Sequence, residues 1–297
     1  MSMSTSKPQA GGQVPVQTPK NFADPSVNTR KESPPLHRNL HRQSPSGDTL
    51  QTRLRYPTFT ANAIMPSSTL PASAFDTIPD AIAAFRNGEF LVVLDDPSRE
   101  NEADLIISAQ SITTAQMAFM IRHSSGLICA PLAPHLTESL ELPQMVPLTA
   151  TQDPRGTAYT LSVDAADPSV TTGISAHDRA LTCRTLAAKG SKPADLRRPG
   201  HVFPLRAREG GVRVRPGHTE AAVDFARLAG TGDAGVICEL VEDGVEVEGK
   251  ALREGGGMMR AEGCIAFARK FALKVVTIAD LVAYLEKTEG KVEANGA

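Results

Sequence analysis

A chain of 297 residues is long enough for one large domain or two small ones, and a formal net charge of −2 argues against nucleic-acid binding by bulk electrostatics. Apolar residues make up 41% but aromatics only 4%, with no Trp, so the core must be built from Val, Leu, Ile, Ala and Met. No apolar run approaches the length of a membrane span.

Residues 1–70 are rich in Ser, Pro, Thr, Gln and Asn and show no sustained hydrophobic periodicity. Such a stretch buries too little apolar surface to offset its conformational entropy, so a disordered extension is expected. It is basic and acid-poor, as organelle-targeting peptides are, but no amphipathic Arg-bearing helix stands out. One folded domain is expected over 71–288, with a flexible tail over 289–297.

Within that domain Phe75 to Arg86 predicts an amphipathic helix, ended by Asn87-Gly88. Phe90 to Leu94 is a continuous apolar run and predicts a buried strand. Thr113-Thr114 starts a helix through His123, with Gln116 completing a capping box. Gly126 ends it, and Leu127 to Leu132 is the next strand. Tyr159 to Val163 alternates and predicts a strand. Ser175 to Asp178 starts a helix running from Arg179 to Lys189, with Asp178 capping it and pairing with Arg179. The turn Arg208-Glu209-Gly210-Gly211 predicts a hairpin, followed by a strand over Val212 to Arg215 with both arginines on one face. Glu220 to Ala229 reads as a helix, Val236 to Val241 as a strand, and Val275-Val276 with Ile278 to Leu285 as a last strand and helix. The fold class is α/β (α+β): a single-domain mixed sheet with surrounding helices. There is no repeat and no Gly-rich dinucleotide or phosphate-loop signature. Cys129, Cys183, Cys238 and Cys264 form no C-x-x-C pair, which argues against a zinc cage and suits reduced thiols in a cytoplasmic protein.

Three features carry chemistry. Asp95, Asp96, Glu100, Glu102 and Asp104 crowd five carboxylates into ten residues after an apolar strand. They repel one another unless a cation lies between them, and hard divalent ions favour such oxygens; a solvated acidic loop is the plainer reading. Arg198-Pro199-Gly200-His201 is echoed by Arg215-Pro216-Gly217-His218. Each glycine permits a tight turn presenting the next His, and the helix start after His218 with Arg215 before it suits a phosphate; two ordinary surface turns are the alternative. Glu239 stands in the apolar run Val236 to Val241, where an unpaired carboxylate is costly to bury and suits proton transfer, unless it sits at a strand end.

Together these segments resemble a known family. D-D-x-x-R-E-N-E-x-D at Asp95 to Asp104 is similar to the signature of 3,4-dihydroxy-2-butanone 4-phosphate synthases. So are His123-Ser124-Ser125-Gly126, Thr171 to Ala176, R-P-G-H-V-F-P-L at Arg198 to Leu205, and Gly217 to Ala221. The match runs in order from Phe75 to Leu285. The resemblance implies a lyase of riboflavin biosynthesis that converts D-ribulose 5-phosphate to L-3,4-dihydroxy-2-butanone 4-phosphate and formate. The implied course is a metal-chelated enediol, dehydration, skeletal rearrangement and loss of C4. It further implies a homodimer with sites near the subunit interface, and two divalent cations, Mg²⁺ or Mn²⁺, with Glu100 and His218 as ligands. Arg99, Glu100, Asp104, Arg215, Pro216, Gly217, His218, Thr219 and Glu239 match substrate-binding positions. His201, Glu239, Asp95, Glu102 and Cys129 match catalytic or pocket-lining ones.

Pro216 stands where the family often has Gly, and Thr151 to Thr157 looks longer than in bacterial members; no role is carried onto either difference. The chain ends soon after the last predicted helix, without the GTP cyclohydrolase domain fused in some members, so a monofunctional form is expected. The competing readings are a metal-dependent sugar-phosphate isomerase or aldolase, which would release no formate, and a sugar-phosphate sensor, which would bind without turnover.

Overall fold

The computed structural model describes residues 72–292, so the extension over 1–70 and the end of the tail lie outside the described residues. The helices are α1 (Ile78–Arg86), α2 (Thr114–His123), α3 (Pro134–Ser139), α4 (Ala176–Ala187), α5 (His218–Ala229), α6 (Ala261–Lys270) and α7 (Ile278–Glu289). The strands are β1 (Leu91–Leu94), β2 (Ala103–Ser108), β3 (Cys129–Leu132), β4 (Val163–Ala165), β5 (Leu196–Arg206), β6 (Gly235–Glu239) and β11 (Lys274–Thr277). Between β6 and α6 lie four two-residue strands, β7 (Val241–Glu242), β8 (Val245–Glu246), β9 (Arg253–Glu254) and β10 (Gly257–Met258).

Seven strands form one sheet in the order β11-β1-β2-β6-β3-β5-β4. It is mixed: β11 with β1 and β3 with β5 run parallel, the other neighbours antiparallel. The central strands are apolar on both faces because helices cover both. Val92, Leu94, Leu105, Ile107, Val236 and Cys238 face one cluster with Met117 and Met120 of α2, Cys183 and Leu186 of α4, and Cys264 of α6. Their neighbours in the strands, Leu91, Val93, Ile106 and Ile237, face the opposite cluster with Phe85 of α1, Phe225 of α5, and Leu281 and Leu285 of α7. Period-two alternation thus divides one sheet between two cores.

Helix starts follow side-chain chemistry. The Thr113 hydroxyl accepts from the Gln116 amide N–H, and the Gln116 side chain accepts from the Thr113 N–H, completing the expected capping box. The Thr77, Ser175 and Thr277 hydroxyls cap α1, α4 and α7 by accepting from the N–H of Asp80, Asp178 and Asp280. Each cap contributes about 1 kcal/mol by satisfying an otherwise open amide.

Several local expectations are corrected. Val212 to Arg215 is not a strand: a single 3-10 turn over Gly211–Arg213 leads into α5, and Val212 is pinned by its N–H to buried Asp224. The preceding Arg208 to Gly211 stretch is a turn and makes no hairpin. Asp178 neither caps α4 nor pairs with Arg179: Ser175 is the cap and accepts from the Asp178 N–H, the Asp178 carboxylate accepts from Thr171 and Gly173, and Arg179 donates to the Gly126 carbonyl. Arg198 to His201 is not a turn but lies within β5, where Gly200 is needed because a Cβ would stand 1.9 Å from the Val163 carbonyl carbon. Glu289 belongs to α7, not to a tail, and pairs with Arg213 and Arg227.

Candidate active site

The carboxyl ends of β1 and β6 and the start of β2 meet at one edge of the sheet. Register sets Asp104 directly opposite Glu239 across β2 and β6. By alternation both side chains leave the sheet on the α5 side, as does Cys129 at the start of β3. The first turn of α5 faces them. Arg99, Glu100, Glu102, Asp104, Cys129, Arg215, His218, Thr219 and Glu239 thereby line one cleft of about 130 Å³, joined by Thr157 and Tyr159.

The acidic loop is organised from below by Asp95. Its carboxylate is buried and accepts from the backbone N–H of Glu100 (3.1 Å) and Glu102 (2.9 Å) and from Arg99 Nη1 (2.8 Å). Arg260, the residue before α6, donates from Nη1 to the carbonyls of Glu100 (3.0 Å) and Asn101 (2.6 Å). Asn101 sits at φ +55°, a left-handed conformation that Asn tolerates better than most residues. Burial and the neighbouring Glu100 charge push the Glu102 carboxyl up from its ordinary value.

Asp104 is 2% exposed, and its Oδ1 has no hydrogen-bond partner. Burial, followed by repulsion from Glu239, raises its pKa well above the usual carboxylate range. His218 Nδ1 lies 3.8 Å from that orphaned oxygen. His218 Nε2 lies 3.1 Å from the Val93 carbonyl, which can only accept, so Nε2 carries the proton. Burial pulls the imidazole pKa down, keeping the ring neutral with its Nδ1 lone pair free. Ligand atoms of Asp95, Glu100 and His218 all lie within 4.8 Å of one another. Carboxylate oxygens beside one neutral imidazole, held by a backbone carbonyl, suit a hard divalent cation.

Glu239 ends β6 rather than interrupting it, and its Oε2 accepts from the Ser125 hydroxyl at 2.7 Å. Burial pushes the Cys129 thiol well above its ordinary pKa, so it stays protonated. At the other end of the cleft Arg215 is held by buried Glu220 at 2.6 Å, and Thr219 presents a hydroxyl in the first turn of α5. That turn leaves N–H groups without helical acceptors and carries the positive end of the helix dipole. Gly217 precedes it in extended backbone, where a Cβ would meet Arg215 Nη1 at 2.5 Å.

Four expected site residues do not line the cleft: Gly217, which lies just before α5, and three more. Asp95 lies under the loop rather than on the cleft wall. Pro216 is exposed and does not line the cleft. His201 is also absent from the lining: it sits on β5, with its Nδ1 2.8 Å from Asp164 Oδ2 and its side chain 42% exposed. Gly173, at φ +87°, makes room for that pair, since a Cβ would lie 2.0 Å from Asp164 Oδ2. Asp164, Ser125, Tyr159, Glu220 and Arg260 were not singled out from sequence. Of these, Ser125 and Glu220 lay inside family-like motifs; the others carried no local signal.

The family profile of 3,4-dihydroxy-2-butanone 4-phosphate synthase matches residues 79–284. The synthase of Pyricularia oryzae is 66% identical over 234 residues, covering 78% of this chain and all of the relative. The chain belongs to the 3,4-dihydroxy-2-butanone 4-phosphate synthase family. A solved synthase structure, described as a complex with two magnesium ions, superposes with a TM-score of 0.72 at 67% identity, covering 73% of this chain and all of that one. Riboflavin biosynthesis protein RibBA of Salinispora arenicola is 52% identical over 221 residues, 74% of this chain and 49% of that protein. The family therefore acts in riboflavin biosynthesis, and this chain is an enzyme of that family with the expected mixed α/β fold. Among the described residues no helix is long and apolar enough to cross a membrane.

Proposed function

We propose that the chain converts D-ribulose 5-phosphate to L-3,4-dihydroxy-2-butanone 4-phosphate and formate, using two Mg²⁺ or Mn²⁺ ions. The carrying observation is the facing pair Asp104 and Glu239, set against Glu100 and His218 with the buried Asp104 Oδ1 unpartnered. The atoms of the pentulose phosphate equal those of the two products, so no redox co-reactant is required. Glu100 and His218 would hold the cations, which when bound supply Lewis-acid polarisation of the substrate carbonyl.

The remaining work falls to the chain itself. Arg99, Arg215, Thr219 and the α5 N-terminus bind the phosphate. Gly217 lets the turn pack against Arg215 and Arg99; Pro216, being exposed, only shapes it. Asp104 and Glu102 face the hydroxyls of the substrate, and the protonated Cys129 offers a neutral donor on the cleft wall. Glu239, oriented by Ser125, accepts a proton from substrate carbon and returns it later. Asp95 positions Arg99, Glu100 and Glu102 rather than touching substrate.

His201 does not line its own cleft, so a catalytic role for it calls for a second copy. The homodimer supplies it. Leu161 and Ile174 are exposed beside the His201–Asp164 pair, and Met145 is exposed on the segment that pairs with Tyr159. An apolar face there suits a subunit interface. We place the chain in the cytoplasm, a reading supported by four buried free cysteines.

Formate release from ribulose 5-phosphate, measured with Mg²⁺ and then with EDTA, tests the reading. Metal-dependent formate is expected. Isomerised sugar without formate would assign a different enediol reaction to the site.

A further inference from the structure

Thr151 to Thr157, the segment to which no role was carried, closes over the acidic loop. Asp153 folds it into a turn, accepting from the N–H of Arg155 (2.9 Å) and Thr157 (2.7 Å). Arg155 reaches back to the loop: its Nη2 donates to the Arg99 carbonyl, and its Nε lies 3.7 Å from Glu100 Oε1. The other Glu100 oxygen, Oε2, is taken by Arg99 Nη1. Each oxygen of this carboxylate therefore faces a guanidinium.

The two arginines are held differently. Arg99 is also tied to buried Asp95 at 2.8 Å, and its side chain is 14% exposed. The Arg155 side chain is 41% exposed and makes no other ion pair among the described residues. A divalent cation ligated by Glu100 takes one of these oxygens and repels the guanidinium beside it. Arg155 is the partner that yields.

We infer that Arg155 is a segment-borne counter-charge for Glu100, and that guanidinium and divalent cation take the same carboxylate oxygen in turn. This rests on the reading of Glu100 as a cation ligand. Arg155 acts through Glu100: it neutralises the carboxylate until the cation takes its place. The segment remains tethered when that happens. Arg215 Nε and Nη2 both contact the Arg155 carbonyl at 3.3 Å, and Arg215 Nη2 contacts the Thr157 hydroxyl at 3.2 Å. The backbone of the segment is therefore held in place when the guanidinium is displaced.

The test is a titration of the full chain with Mn²⁺, followed by the electron-paramagnetic signal of the free ion, for wild type, Arg155→Ala and Arg155→Lys. Removing an exposed competing ion pair should tighten Mn²⁺ binding about two- to fivefold in Arg155→Ala, with Arg155→Lys close to wild type. The direction is diagnostic, because a merely bracing role would loosen the acidic loop and weaken binding. Unchanged or weaker binding in Arg155→Ala, beside a wild type that binds Mn²⁺, would overturn this inference alone. No Mn²⁺ binding by wild type would remove Glu100 as a ligand and the inference with it.

Discussion

Glu239 shows how much of a catalytic residue is set by its immediate partners. Its place at the end of β6 frees the carboxylate from the apolar run, and Ser125 fixes one oxygen while the other faces the cleft. Proton transfer by a positioned side chain contributes about 10²–10⁴-fold. Glu239→Gln should therefore lower kcat by about 100-fold or more, while Mn²⁺ binding is retained because Glu100 and His218 are untouched. Full turnover with metal bound would remove Glu239 from the proton-transfer assignment. The two R-P-G-H copies make the complementary point. Identical tetrapeptides stand in a strand at Arg198 and before a helix at Arg215, and their histidines point to different places. His218 is buried against Val93, whereas His201 is half exposed against Asp164.

At the scale of elements, the start of α1 is docked by one carboxylate. Asp76 accepts from the Val275 N–H (2.9 Å), Arg269 (2.7 Å) and Lys274 (3.0 Å), joining α1 to β11 and α6. Burial works to raise its pKa, but those bonds to the charged form prevail and lower it from the ordinary 3.8. A depressed carboxyl contributes stability that is complete above 3.8 and is lost as pH falls through the lower folded value. Urea midpoints at about pH 5 and about pH 3 should thus fall further for wild type than for Asp76→Asn. Equal falls would mean that the carboxylate titrates alike in folded and unfolded chains.

At the scale of the whole molecule, the sheet order separates two groups that the family reading unites. His201 on β5 and Glu239 on β6 lie either side of β3, and only Glu239 opens into the cleft. If each cleft takes His201 from a second copy, inactive His201→Ala and inactive Glu239→Gln chains should complement. Mixed dimers would hold one intact site of two, so an equal mixture refolded together should recover about one quarter of wild-type formate production. No recovery, from material shown to be mixed, would put both residues in the service of one chain.

Local composition alone determined the elements whose signal is local. Phe90 to Leu94 and the first part of Val236 to Val241 announced buried strands because continuous apolar runs have nowhere else to go, although β6 stops at Glu239 and Val241 joins a separate two-stranded sheet. Thr113 with Gln116 announced α2 because the capping box closes within one turn. The acidic loop, His218 and Glu239 were legible because charge concentrated next to apolar strands demands an explanation. Tertiary structure decided the rest. The alternation of Val212 to Arg215 yielded to a turn because Asp224, a residue of α5, captures the Val212 N–H. Asp104 opposes Glu239 through register between strands distant in sequence, and Arg155 meets Glu100 across a separation that no local pattern encodes. Long-range pairing depends on how strands are ordered in the sheet, and that order is a property of the whole fold.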